Sequence, residues 1–149
     1  MDAALRYLGA RARTVREVER HLDASEYGEV EVYETVERLK ELGLLNDAAF
    51  AEEYVRTRLA TKPVSRAHLR QQLLQHEADT DAVEQALSSL PEDAEANTAV
   101  QIAEKYARQY ARLPEDERNE MVMRRLLSRG YSYDDARAAL SAAAREREE

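Results

Sequence analysis

Residues recur along this 149-residue chain at i, i+3, i+4 and i+7, the spacing that gathers side chains on one face of an α-helix. Val32, Thr35, Val36 and Leu39 make one such stripe, with Glu34, Glu37, Arg38, Lys40 and Glu41 on the other faces. The stripe returns as Val83, Ala86, Leu87 and Leu90, then as Ala136, Ala139, Leu140 and Ala143. Carrying one set of offsets backwards aligns Val18 and Leu22 with Leu69 and Leu73, and with Val122 and Leu126. A further helix precedes each pair: Leu5 and Leu8, then Phe50 and Tyr54, then Ile102, Tyr106 and Tyr110. No stretch alternates apolar and polar residues convincingly enough for a strand. The pattern predicts an all-α chain of three tandem three-helix repeats, over residues 1–47, 48–94 and 95–149. Small units that touch mainly their neighbours predict an elongated, curved array offering surface rather than a cavity.

Turn chemistry falls where that division needs it. Thr14 with Glu17 forms a capping box, Ser65 is placed to cap another second helix, and Pro114 to open the last. Gly130 ends that helix, and Ser132 with Asp135 starts the next. Pro63 breaks the first helix of the middle repeat from its second, and Pro91 with the acids after it marks the joint to the last repeat. Between Val36 and Leu59 one helix end and the next helix start are compressed into a few residues. Gly43 tolerates the left-handed conformation that closes a helix, and Leu44 is expected to fold back on the last apolar turn. Asn46 is the expected N-cap of the following helix, with Leu45 against Phe50 as a hydrophobic staple.

The run LKELGLLNDAAFAEEYVRTRL resembles the signature of the RecX family, close to LxxxGLLDDxxFAxxYVxxR. Leu39, Gly43, Leu44, Leu45, Asp47, Phe50, Ala51, Tyr54, Val55 and Arg58 stand where that pattern places them, and Asn46 replaces an acid while keeping the capping oxygen. The tail LLSRGYSYDDARAAL is similar to the close of the family's last repeat, and the middle repeat fits its basic wording. That middle repeat departs from the family in having His76, Glu77 and Ala78 where a glycine usually separates the second and third helices. The resemblance implies tandem three-helix repeats and a bacterial regulator of the RecA recombinase. Such a regulator binds the RecA filament on single-stranded DNA and modulates, chiefly inhibits, its ATP hydrolysis and strand exchange in recombination and repair. DNA contact alone is expected to be weak or indirect, no cofactor is implied, and a monomer is expected.

A formal net charge of -8 sits awkwardly with a nucleic-acid partner, but the charge is unevenly distributed. From Tyr54 to His76 there is no acid, while Arg56, Arg58, Lys62, Arg66 and Arg70 supply five positive charges. Arg66 and Arg70 lie one helical turn apart. A second cluster is Arg6, Arg11, Arg13, Arg16 and Arg20, and a third, Arg118, Arg125 and Arg129, falls on one helical face. The middle and last clusters are the candidate partner or DNA contacts, a polarisation suited to a protein filament wrapped around DNA. With 35% of residues charged, solvated helix faces explain such clusters equally simply, and Arg58 could instead brace the helix junction. Tyr54, Tyr106 and Tyr110 fit packing better than base stacking, whereas Tyr131 and Tyr133 are expected at the surface.

Catalysis finds little support. His68 and His76 share a predicted helix, but no cysteine exists in the chain and no carboxylates complete a metal shell. Glu52 and Glu53 point about 100° apart on a helix and so form no acid–base pair. Four glycines leave no phosphate-cradling loop. Absent cysteines, the lack of a signal-like segment and the lack of a long apolar run predict a cytoplasmic, non-enzymatic protein without a membrane span. Two other readings share the periodicity: a helical-repeat adaptor for an unrelated protein, and a helix-turn-helix DNA-binding regulator, which the acidic total disfavours.

Overall fold

A computed structural model describes residues 1–148, which form nine α-helices and no strand. They are α1 (Asp2–Ala10), α2 (Val15–Ala24), α3 (Glu29–Glu41), α4 (Asp47–Thr61), α5 (Arg66–Gln75), α6 (Thr80–Ser88), α7 (Ala94–Gln109), α8 (Glu115–Ser128) and α9 (Tyr133–Glu148). The chain divides into two compact units. One comprises Met1–Val55 with Arg70–Ser88, the other Arg56–Leu69 with the chain from Ser89 onward.

In the first unit α2 packs against α1 and α3 around Ala4, Val18, Leu22, Val32, Val36, Leu39 and Leu45. In the second, α7 packs against α8 and α9 around a core of Ile102, Tyr106, Val122, Leu126 and Tyr131. Alanines at 99, 103, 107, 136, 139 and 143 complete that core and permit close helix approach. The second helix of each repeat carries one apolar pair that is almost completely buried. Val18 and Leu22, Leu69 and Leu73, and Val122 and Leu126 are all at most 2% exposed. Each such side chain contributes about 1.5–3 kcal/mol by leaving water, which makes the repeated pair the principal apolar anchor of its helix.

Helix ends follow local chemistry. Thr14 and Glu17 form the capping box, Ser65 Oγ accepts from His68 N at 3.1 Å, and Ser132 Oγ accepts from Asp135 N at 3.1 Å. Pro114 stands one residue before α8. The stop between second and third helices repeats three times. Glu26 (φ 65°), Glu77 (φ 58°) and Gly130 (φ 91°) each take the left-handed conformation. The next residue then donates back five positions: Tyr27 N to Leu22 O, Ala78 N to Leu73 O and Tyr131 N to Leu126 O. Glu77 thus occupies the glycine-like position of the middle repeat, at the conformational cost a non-glycine residue carries there.

Several side chains depart from the sequence expectation. Leu5 is 41% exposed, and Ala4, one position earlier, supplies the buried contact of α1. Leu44 is half exposed, whereas Leu45 is buried, because the left-handed Gly43 turns the chain so that the second leucine faces the core. Leu90 lies beyond α6, which ends at Ser88. Tyr131 is 3% exposed rather than at the surface: its place after Gly130 points it inward, where its hydroxyl meets Thr98 Oγ1 at 2.9 Å. Tyr133 is exposed as expected. His76 falls just past α5, so it does not share a helix with His68. The last helix, α9, continues through Glu148, and Glu149 lies outside the described residues.

Candidate functional site

The signature residues assemble the helix corner within the first unit. Gly43 (φ 74°) closes α3, and Leu39 O accepts from both Leu44 N and Leu45 N. Asn46 Oδ1 accepts from Ala49 N at 3.1 Å and so caps α4. Asp47 reaches two other helix starts: Oδ1 accepts from Val15 N, the first residue of α2, and Oδ2 accepts from Asp79 N just before α6, each at 2.9 Å. Asp79 in turn accepts from Ala82 N. A carboxylate placed among helix N-termini satisfies amides that no helix can satisfy itself and complements their partial positive charge. Phe50, Ala51 and Val55 are buried.

Aromatic packing continues from that corner. The His76 ring lies edge-on to Phe50 and Tyr54, with centroids 5.6 and 5.4 Å away, and the Tyr54 hydroxyl donates to Gln72 Oε1 at 3.0 Å. His76 Nδ1 lies 3.2 Å from Glu17 Oε2, and Thr14 Oγ1 donates to His76 O at 2.7 Å. Burial pushes the Glu17 carboxyl up. Hydrogen bonds from Thr14 N–H and His76, with the charges of His76 and Arg11, outweigh that effect and hold it below its ordinary value. These contacts give the signature a structural role, joining the start of α2 to α4 and to the turn before α6.

The candidate cations meet different fates. Arg70 forms a two-pronged pair with Glu84, at 2.6 and 3.2 Å, so the acid-free stretch of sequence acquires a carboxylate through folding. That same hydrogen bond holds the Glu84 carboxyl below its ordinary range. Arg66 donates to Pro91 O, and its Nε is buried without a partner among the described residues. Arg56 and Arg58 are each engaged within the chain, while Lys62 is exposed. Arg129 donates to Pro63 O at 3.2 Å and to the Tyr106 hydroxyl at 2.7 Å. Arg125 is exposed and donates through Nε and Nη2 to the Tyr110 hydroxyl. Arg118 has a buried Nε without a partner among the described residues. Near the N-terminus Arg11 pairs with Glu17, Arg16 with Glu19 and Glu77, and Arg20 with Glu77, while Arg13 lies 3.9 Å over the Tyr7 ring.

Sequence reasoning missed Lys105, whose ammonium lies 5.5 Å from the centroid of the same Tyr106 ring that holds Arg129. The signal was a lysine beside a periodic core tyrosine, which becomes informative only when α7 and α8 are packed together. Among the described residues no group of three or more His, Asp or Glu side chains could hold a metal ion, and no helix is long and apolar enough to cross a membrane.

Fold and surface together define a class, the all-helical proteins of tandem three-helix domains. Models of the first, second and third three-helix domains of RecX match residues 1–39, 46–87 and 93–140 in that order. The regulatory proteins RecX of Bacillus pumilus and Bacillus subtilis are each 31% identical to it, over 94% and 93% of the chain. The chain spans about half the length of these curated relatives, 53% of each. The crystal structure of RecX from Lactobacillus salivarius superposes with a TM-score of 0.80 at 29% identity, covering 96% of this chain and 93% of that one. The chain belongs to the RecX family.

Proposed function

We propose that this chain regulates a RecA-type recombinase by binding its filament on single-stranded DNA and restraining ATP hydrolysis and strand exchange. The observation that carries this reading is the ordered match to all three RecX domains along one chain, together with relatives named as regulatory proteins. Taking the repeats as residues 1–47, 48–94 and 95–149, each would offer a short helical face to the filament. A regulator of this kind acts by binding one filament state more tightly than another, and needs no catalytic group.

The cations would divide the work of contact. Arg56, Lys62 and Arg125 are exposed and would meet the partner or its DNA directly. Arg58, Arg66, Arg70, Arg118 and Arg129 are partly buried and would support those contacts from positions fixed within the chain. The test is cosedimentation with preformed filaments of the recombinase from the same organism. Pelleting that requires both recombinase and single-stranded DNA supports the reading. A protein that stays in the supernatant at every filament concentration refutes it, and one that pellets without DNA or nucleotide points to a general helical-repeat adaptor.

A further inference from the structure

Three cations gather around one ring in the second unit. Lys105 Nζ lies 5.5 Å from the centroid of Tyr106, Arg125 Cζ 5.1 Å and Arg129 Cζ 5.5 Å, all within the range of cation–π attraction. Two are held in place by hydrogen bonds: Arg129 by Pro63 O and the Tyr106 hydroxyl, Arg125 by the Tyr110 hydroxyl. Tyr106 and Tyr110 stack with their centroids 6.2 Å apart, and each hydroxyl accepts from one of the two guanidinium groups.

Carboxylates answer cations elsewhere in the chain, as Glu77 answers Arg16 and Arg20, Glu84 answers Arg70, and Glu120 answers Arg124. Among the described residues Lys105, Arg125 and Arg129 form no ion pair. Arg125 Nη1 and Arg129 Nε also make no hydrogen bond there, which leaves donors on fixed groups. Like charges collected without a counter-charge raise the local potential and attract an anion. Donors already fixed in position lose little conformational freedom when an anion binds.

We infer that Lys105, Arg125 and Arg129 form a phosphate-binding site around Tyr106, with the backbone phosphates of single-stranded nucleic acid as ligand. The choice of that polyanion rests on the filament reading proposed above. Tyr106 is only 7% exposed, so it positions cations rather than stacking on a base, and recognition is of phosphate without sequence preference. The site shifts DNA contact from Arg66 and Arg70, both engaged within the chain, to the last repeat.

Binding of fluorescein-labelled oligothymidylate, followed by anisotropy across a salt series, tests the site. Lys105→Gln with Arg125→Gln removes two exposed charges, and Arg145→Gln with Arg147→Gln removes the same charge from the exposed end of α9 as a control. The first pair is expected to lower the slope of log affinity against log salt by about 1.4, roughly 0.7 for each lost phosphate contact. The control is expected to leave the slope unchanged. An unchanged slope in the folded first variant overturns the site, as does an equal loss in the control. Wild-type binding to phosphatidylglycerol vesicles but not to oligothymidylate also overturns it. Cosedimentation of the same proteins with the recombinase filament separates the two proposals. A DNA slope that depends on Lys105 and Arg125 in a protein that ignores the filament supports the site and refutes only the regulator reading.

Discussion

Asp47 holds two amides of neighbouring helix starts, so its removal leaves Val15 N and Asp79 N without their acceptor. Asp47→Ala is expected to destabilise the protein by about 1–3 kcal/mol, read from the urea unfolding midpoint, and Asp47→Asn by less because one carbonyl oxygen remains. Phe50→Ala deletes a buried ring beside His76 and is expected to cost about 3–5 kcal/mol in the same measurement. The two left-handed glycines separate backbone strain from crowding. A Cβ on Gly43 meets nothing within 4 Å, whereas one on Gly130 would lie 2.5 Å from Ser65 Oγ and 2.8 Å from His68 Cβ. Gly43→Ala is therefore expected to cost about 1–2 kcal/mol from backbone strain alone. Gly130→Ala is expected to add about 1–3 kcal/mol of overpacking. Equal losses at the two positions would contradict this account of the Gly130 turn.

Helix packing was legible in the second helices and at the helix caps, but not at the residues beside the left-handed Gly43 and Gly130, where Leu44 is exposed and Tyr131 buried. The six buried positions of α2, α5 and α8 follow from spacing, and the caps at Thr14, Asn46, Ser65 and Ser132 from residue types whose oxygens reach amides two or three positions on. Contacts between distant segments were not legible. Nothing in the sequence joins Thr14 to His76, 62 positions away, or sets Glu84 against Arg70. Among the candidate cations, Arg70 and Arg129 gain intrachain partners that sequence spacing does not show, since a charge free in sequence is often paired in space. Between α2 and the turn after α5, Glu17 makes the contact sensitive to acid. Its folded-state pKa lies below the ordinary 4.5, so its stabilising contribution is present above that value and is lost as pH falls through the lower folded value. Glu17→Gln is expected to narrow the stability gap to the wild type progressively in acid, measured by thermal unfolding across a pH series. A gap that stays constant below pH 4.5 would contradict the assignment.

The whole molecule carries a net charge of -8, yet three cations around Tyr106 form no ion pair among the described residues, so its average charge is a poor guide to its partner. A mixed surface suits the proposed partner, a recombinase filament that presents both protein and phosphate. The most direct measurement is single-stranded-DNA-dependent ATP hydrolysis by the recombinase of the same organism, with this protein titrated in. Hydrolysis is expected to fall at protein concentrations below that of the recombinase, because a regulator acting on a filament affects many subunits through each bound copy. A rate that stays constant up to an excess of protein over recombinase, with the filament intact, would contradict that expectation.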